Sequence, residues 1–398
     1  MDKLQLLELR KEYGDAFYLL DSFQFKKNYD ELKTAFSSIY KNFNIAYSYK
    51  TNYTPKLCKI VNELGGYAEV VSEMELELAQ RIGVKLENII WNGPVKNPIV
   101  LENYLLTGGE VNIDNLDELK FIKKVVKDNP NNEFRVGIRV NYDVQDGVIS
   151  RFGFDSNSDE FNEVLGFVTK TANVKLVSIH CHFAKRQIEY WPARAKGMIE
   201  LLDRIGIVPK RVDLGGGIFG KMEDSLKKQF TSRIPEYDEY AKAAATIFAE
   251  RFGYNGPELI IEPGSALVGD CMQFVGTVKS IKNIRGKYFA SILGSQKNIS
   301  MTGVNPPIEV IHVNNGTKYE NLDMVGFTCI EGDVIYKNYN GELAIGDSIV
   351  ISNCGSYSLV MKPPFILPNF AVLDISEGKV ELVKRAENFD DLFHTFNY

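Results

Sequence analysis

Lys50 closes the apolar run "IAYSYKTN" at 45–52, a place where an ammonium ion is costly to desolvate. Either it marks the solvated end of a strand or its amine is held for chemistry. Glu262 in "LIIEPG" follows two isoleucines, and a carboxylate buried there requires a cation or a protonated ring as partner. In "HCH", His180 and His182 fall on one face of a strand, because side chains alternate with period two. A zinc site is the tempting reading, yet only His312 and His394 remain in the chain and no further ligands stand out, so a stacking or hydrogen-bonding role is favoured. "DLGGGIFGKM" fits G-x-G-x-x-G through Gly215, Gly217 and Gly220, and fits a Walker A through Lys221 until Met222 takes the place of the required hydroxyl residue. Both matches are weak. Bare N–H groups for a phosphate monoester and a plain tight turn both stay open as readings of Gly216 and Gly217.

Eight apolar runs position these residues: 45–50, 67–72, 88–92, 110–114, 134–141, 176–182, 211–215 and 259–264, with amphipathic stretches such as "NLDELKFIKKVVKD" between them. Eight βα units over about 250 residues predict an α/β fold, a TIM (β/α)8 barrel, with an open doubly wound sheet as the alternative. On that map Lys50, Arg139, His180, His182, the glycine triplet and Glu262 all fall at strand C-termini, the rim where barrels do chemistry. From about 273 onward strands follow one another without helices, which predicts a second all-β domain, a sandwich or barrel. The expected division is a barrel over 23–272 and a β domain over 273–398, completed by 1–22, whose strand "AFYLLD" returns to it.

Composition narrows the function. With a net charge of -6 and no basic clusters interleaved with aromatics, the 398-residue chain is not expected to bind nucleic acid. Its N-terminus is charged at helical spacing and no apolar run would span a bilayer, so a cytoplasmic protein without a membrane partner is expected. The cysteines Cys58, Cys181, Cys271, Cys329 and Cys354 are scattered, which argues against disulfides and structural zinc; no metal is expected.

A lysine, a phosphate cradle, a flat ring neighbour and a carboxylate in need of a protonated partner together describe pyridoxal 5'-phosphate (PLP) held as a Schiff base. The sequence resembles the fold type III PLP-dependent decarboxylases, the ornithine, diaminopimelate, arginine and carboxynorspermidine decarboxylases with an alanine-racemase-like barrel, from "AFYLLD" to "FAVLD". The resemblance implies Lys50 as the Schiff-base lysine, His182 as the ring-stacking histidine, Gly216 and Gly217 as the phosphate loop, and Glu262 as the carboxylate that keeps the pyridinium protonated, with Gly264 in its "EPG" turn. It also implies Glu69 as the acid near the lysine, Arg139 at the cofactor rim and Tyr357 in "CGSYS" as a phosphate ligand. Cys329, Ile330, Glu331 and Asp333 of "CIEGDV" match a stretch presented across a homodimer interface, with Cys329 catalytic and Asp333 paired with the partner's Arg151.

Three departures bear on substrate. Ser265 stands where many members have arginine, Ala184 and Lys185 replace a usual Gly-Ser pair, and Ile330 replaces an acid. Lys185 is expected to restore the charge that Ser265 lacks. Arginines suited to the distal carboxylate of diaminopimelate are not evident around "SQKNISMTGVNPP", so a diamine, polyamine-type or carrier-linked amino acid is the expected substrate. Diaminopimelate itself, racemization on the same fold, and a silent antizyme-inhibitor-like binding protein are the alternatives.

Overall fold

A computed structural model describes residues 3–299 and 305–397, so Ser300 to Val304 within "SQKNISMTGVNPP" lie outside the described residues. The chain divides into two compact units: residues 28–219 with 234–266, and residues 1–27 with 220–233 and 267–398.

The first unit is a closed parallel barrel. Its strands, first to eighth, are Phe43–Ser48, Tyr67–Val70, Ile89–Trp91, Glu110–Ile113, Phe134–Asn141, Val174–His180, Arg211–Asp213 and Glu258–Ile261. Neighbours pair in parallel around the ring, and the eighth strand returns to the first through Leu259↔Phe43 and Ile261↔Ile45, so no edge is left. Ala46, Tyr67, Ile90 and Ile260 form one buried cluster of the barrel. Helices begin soon after the strands end, and the sequence writes their caps. Ser72 accepts from Glu75 N–H ahead of Glu73–Arg81, Asn115 from Glu118 N–H ahead of Leu116–Asp128, and Ser158 from Phe161 N–H ahead of Asp159–Lys170. The helix Trp191–Ile205 starts with Pro192 in its first turn and stops at Gly206, whose φ of 66° is left-handed.

The strands are shorter than the apolar runs suggest. "IAYSYK" leaves the sheet after Ser48, and Tyr49–Thr51 form a single 3-10 turn that carries Lys50. Likewise the sixth strand ends at His180, so His182 lies beyond it rather than two places along it.

The second unit is mostly sheet. The strand Ala16–Leu20 pairs antiparallel with Met272–Ile284 and parallel with Ala371–Asp374, in a nine-stranded sheet. Its core gathers Phe17, Leu19, Val275, Val350 and Leu373 beneath Leu6 and Leu9 of the N-terminal helix Lys3–Tyr13. Among the described residues no helix is long and apolar enough to cross a membrane.

Candidate active site

The rim of the barrel answers why Lys50 follows an apolar strand. Its amine meets Glu69 Oε2 at 2.5 Å and Ser48 Oγ at 3.5 Å, with the lysine side chain 32 % exposed and that of Glu69 1 %. The ammonium is therefore held against a buried acid beside an opening to solvent. From Glu69 a hydrogen-bonded chain crosses the barrel. Asn92 Nδ2 donates to Glu69 Oε1 at 3.1 Å and to Glu262 Oε1 at 2.6 Å, and His180 Nε2 lies 3.3 Å from Glu262 Oε2. Behind it Asn112 donates to Asn92 at 2.7 Å and Ser178 to Asn112 at 2.7 Å. Of these eight side chains, all but that of Lys50 belong to buried residues.

Two acids at this rim are driven apart. Burial raises the Asp213 carboxyl well above its ordinary range and the adjacent Glu262 carboxylate raises it further, so Asp213 is held protonated while Oδ1 accepts Gly215 N–H at 2.8 Å. Burial would also raise Glu262, but His180, through its hydrogen bond, and the charge of Lys50 override it and hold this carboxyl below the ordinary range. Glu262 is the ionised member. Burial pushes His182 well below the ordinary histidine value, so its ring is neutral.

The glycines are required by contact. A Cβ on Gly215, whose φ is 71°, would stand 2.4 Å from Cys181 O, and one on Gly216 would stand 2.6 Å from Glu262 O and 3.3 Å from His182 Nε2. On Gly264 it would strike Thr51 Oγ1 at 2.0 Å, because the "EPG" turn packs on the Lys50 turn; Ser48 N–H donates to Pro263 O and Ser48 Oγ to Glu262 O, both at 3.2 Å. Ser265 opens the short helix Ser265–Val268 beyond that turn.

Arg139 is nearly buried and neutralised by Asp114 at 3.2 Å, with its guanidinium over the Phe152 ring, on which the exposed Arg151 also lies. Lys185 contributes its backbone carbonyl, which accepts from Arg194 at 3.3 Å.

In the other unit, Cys329 is exposed, as are Ile330 and Glu331, on a turn between the strands Thr317–Val325 and Val334–Leu343. Asp333 shapes that turn from within. Its carboxylate accepts Ser295 Oγ at 3.0 Å, Gln296 N–H at 2.7 Å, Thr328 Oγ1 at 2.6 Å and Thr328 N–H at 3.3 Å. Tyr357 has a φ of 62°, unusual for a bulky residue and most often retained at functional positions.

The structure adds Asn92, Asn112 and Asp213 to the residues read from sequence. Their signal was that of Glu262, a polar residue within or directly after a buried run: "IIWN", "EVNI" and "RVD". A lysine paired with a buried carboxylate, a second carboxylate held ionised, a neutral ring and a cradle closed to any Cβ fit a flat, protonated, phosphorylated ring. Asp213 Oδ2 and His180 Nδ1 have no hydrogen-bond partner among the described residues, and His180, Asp213 and Glu262 bring three possible metal-ligand atoms within 4.8 Å of one another.

Comparison with known proteins agrees. Residues 24–269 match the family model for the pyridoxal binding domain of pyridoxal-dependent decarboxylases. Diaminopimelate decarboxylase of Methanothermobacter thermautotrophicus is 26% identical, over 98% of this chain and 94% of that one. The L-glutamyl-[BtrI acyl-carrier protein] decarboxylase of Niallia circulans is also 26% identical, over 99% and 96%. The fold is shared with the crystal structure of diaminopimelate decarboxylase from Methanocaldococcus jannaschii, with a TM-score of 0.86 and 23% identity over 98% of this chain and 94% of that one. With the family match spanning the whole barrel and its rim, the chain belongs to the pyridoxal-dependent decarboxylases.

Proposed function

We propose that this enzyme removes the α-carboxylate of an amino acid, or of an amino-acid-derived substrate of the diamine, polyamine or carrier-linked type, with PLP held covalently by Lys50. The observation that carries this reading is the chain Lys50–Glu69–Asn92–Glu262, which fixes an amine and an ionised acid at one rim. When bound, PLP supplies an electron-accepting ring that makes loss of CO2 feasible. The residues do the rest. Glu69 takes or returns a proton at Lys50 Nζ, across the 2.5 Å contact. Glu262, ionised, would hold the ring nitrogen protonated, and Asn92 aims both carboxylates. His182, uncharged, is the aromatic neighbour, and the N–H groups of Gly216 and Gly217 take the phosphate together with Gly264, Ser265 and Tyr357. Arg139 and Asp114 neutralise each other and shape the wall. Cys329, exposed on its turn, or a water it positions, would supply the proton that replaces the lost CO2.

In the same reading the working form is a cytoplasmic homodimer, with the Cys329 turn at the interface and no nucleic-acid partner. Sedimentation of the purified protein tests the dimer.

A second reading takes diaminopimelate itself as substrate, favoured by the names of the relatives from Methanothermobacter thermautotrophicus and Archaeoglobus fulgidus. One experiment separates the readings. The full-length protein is assayed for CO2 release from diaminopimelate, other diamino acids, polyamine conjugates and a carrier-linked glutamyl group, and borohydride-reduced protein is mapped by mass spectrometry. Label on Lys50 with CO2 release from one class supports the proposal; inversion of an amino acid without CO2 indicates a racemase, and no label indicates a silent binding protein.

A further inference from the structure

Arg194 sits in the first turn of Trp191–Ile205 and is 0 % exposed. A guanidinium does not deprotonate in proteins, so burial leaves a full positive charge there. Carbonyl dipoles are its near partners rather than carboxylates. Nη1 donates to Gly216 O at 2.6 Å and Leu214 O at 3.2 Å, and Nη2 to Lys185 O at 3.3 Å; Nε has no partner among the described residues. The guanidinium stacks on Trp191 with 4.3 Å to the ring centroid, and Tyr142 Oη donates to the Arg194 carbonyl at 2.6 Å, which fixes this turn.

The effect on the glycine loop follows from peptide geometry. Leu214 O and Gly216 O are tied to Arg194, and Gly215 O accepts Glu262 N–H at 2.9 Å, so three successive carbonyls are engaged. In a trans peptide the N–H points opposite to its C=O. Fixing those carbonyls therefore turns the Gly216 and Gly217 N–H groups the other way, where neither has an acceptor among the described residues. The left-handed φ of 89° at Gly217 lets the chain make that turn. The result is a pair of bare donors backed by a buried cation, a setting that favours an anion.

We infer that Arg194 is the positioning residue of the phosphate site: from behind the loop it aims the Gly217 amide through Gly216 O, beside the Gly216 amide that the Glu262 N–H contact sets, and supplies the positive charge that Ser265 does not bring. This rests on PLP as the cofactor, and its ligand is the phosphate monoester of that cofactor. Lys185 engages Arg194 through its backbone carbonyl.

The test uses full-length protein stripped of cofactor and offered either PLP or pyridoxal, which lacks the phosphate, with capture at Lys50 read by absorbance and by borohydride fixation. Arg194→Met is expected to weaken PLP capture about ten- to a hundredfold, the size of a lost interaction with a charged group, and to leave pyridoxal capture within about twofold. Arg194→Lys keeps charge without the fork and is expected to fall between; it carries the same two-ligand comparison should the methionine variant not fold. Equal loss of both ligands would mean a purely structural role and overturn the proposal, as would unchanged PLP capture. If the wild-type protein captures neither ligand, the cofactor reading fails and the proposal with it.

Discussion

Both ends of the barrel bury charge, but only one end is electrostatically complete. At the N-terminal ends of the strands, Arg211 bonds to Glu110, Arg135 Nη2 lies 3.3 Å from the same carboxylate, and Tyr67 Oη donates to Glu258 at 2.8 Å while Arg211 lies over its ring. Two arginines face two acids, and burial, which opposes the Arg211 charge, is outweighed by Glu110. At the C-terminal ends Glu69 pairs with Lys50, while the ionised Glu262 meets Asn92 and His180 rather than a lysine or arginine, with His182 neutral and Asp213 protonated. The lower cluster locks a register; the upper one is completed only by a protonated guest. This is how a barrel can hold acids at both ends and use only one set for chemistry.

The sharpest way to break the comparison is Lys50→Ala. Turnover is expected to fall by about four orders of magnitude, comparable with removing a nucleophile from a catalytic set, while the melting temperature moves by only a few degrees. A folded Lys50→Ala protein with residual CO2 release near wild type would refute the assignment. The lower end should behave oppositely. Arg211→Met takes from the buried Glu110 its fully buried partner and leaves only the partly exposed Arg135, for which about 3 kcal/mol of stability is expected to be lost in urea unfolding, and Glu110→Leu added to it should recover most of that loss. The folded fraction should keep its kcat. Third, Glu262→Gln keeps the shape and removes the charge, so kcat is expected to drop about a hundred- to a thousandfold. Asp213→Asn sharpens the contrast, since a carboxyl already protonated loses no charge; its kcat is expected to stay within about threefold of wild type. Similar losses for the two variants would show that the acids had been assigned the wrong way round.

The barrel was legible because eight buried runs alternate with capped amphipathic helices, and its rim because polar residues interrupt those runs at one end. What stayed hidden has particular causes. The strand Thr317–Val325, "TKYENLDMV", buries only Leu322 and Met324, so its polar composition concealed it, and "FTCIEGDVIYKN" reads as one strand although its first half is the turn that Asp333 organises. Sequence shows residue types and not which atom faces the loop, and Lys185 meets Arg194 through its backbone carbonyl. Arg194, nine residues on and inside a helix, gave no motif; its role rests on hydrogen bonds to carbonyls, which any sequence can supply. Lys50, His182 and Glu262 were legible through family resemblance, whereas the Asn92 bridge between two acids emerges only when the third strand is laid between the second and fourth.

The smallest expected effect concerns the acid behind Lys50. Glu75 starts the helix that follows the second strand: its N–H bonds to Ser72 Oγ at 3.3 Å and its carboxylate accepts Val71 N–H at 2.7 Å. Burial pushes it up to about 7 despite that hydrogen bond, with Glu69 adding repulsion that Lys50 partly offsets. The folded value thus lies above the unfolded one, so the protonated form stabilises the fold. That contribution is fully present below about pH 4.5 and is lost as pH rises through about 7. On the order of 2 kcal/mol is expected to disappear between pH 5 and pH 8, and Glu75→Gln, neutral at every pH, should flatten this part of the stability profile measured by thermal unfolding. An unchanged slope in Glu75→Gln would place the titration elsewhere. Because Glu75 feels Glu69 and Lys50, the double variant Lys50→Ala/Glu75→Gln also reports how far the negative field of the upper rim extends: with its opposing cation removed Glu75 should be raised further, so the slope that Glu75→Gln abolishes should be larger in the Lys50→Ala background than in wild type.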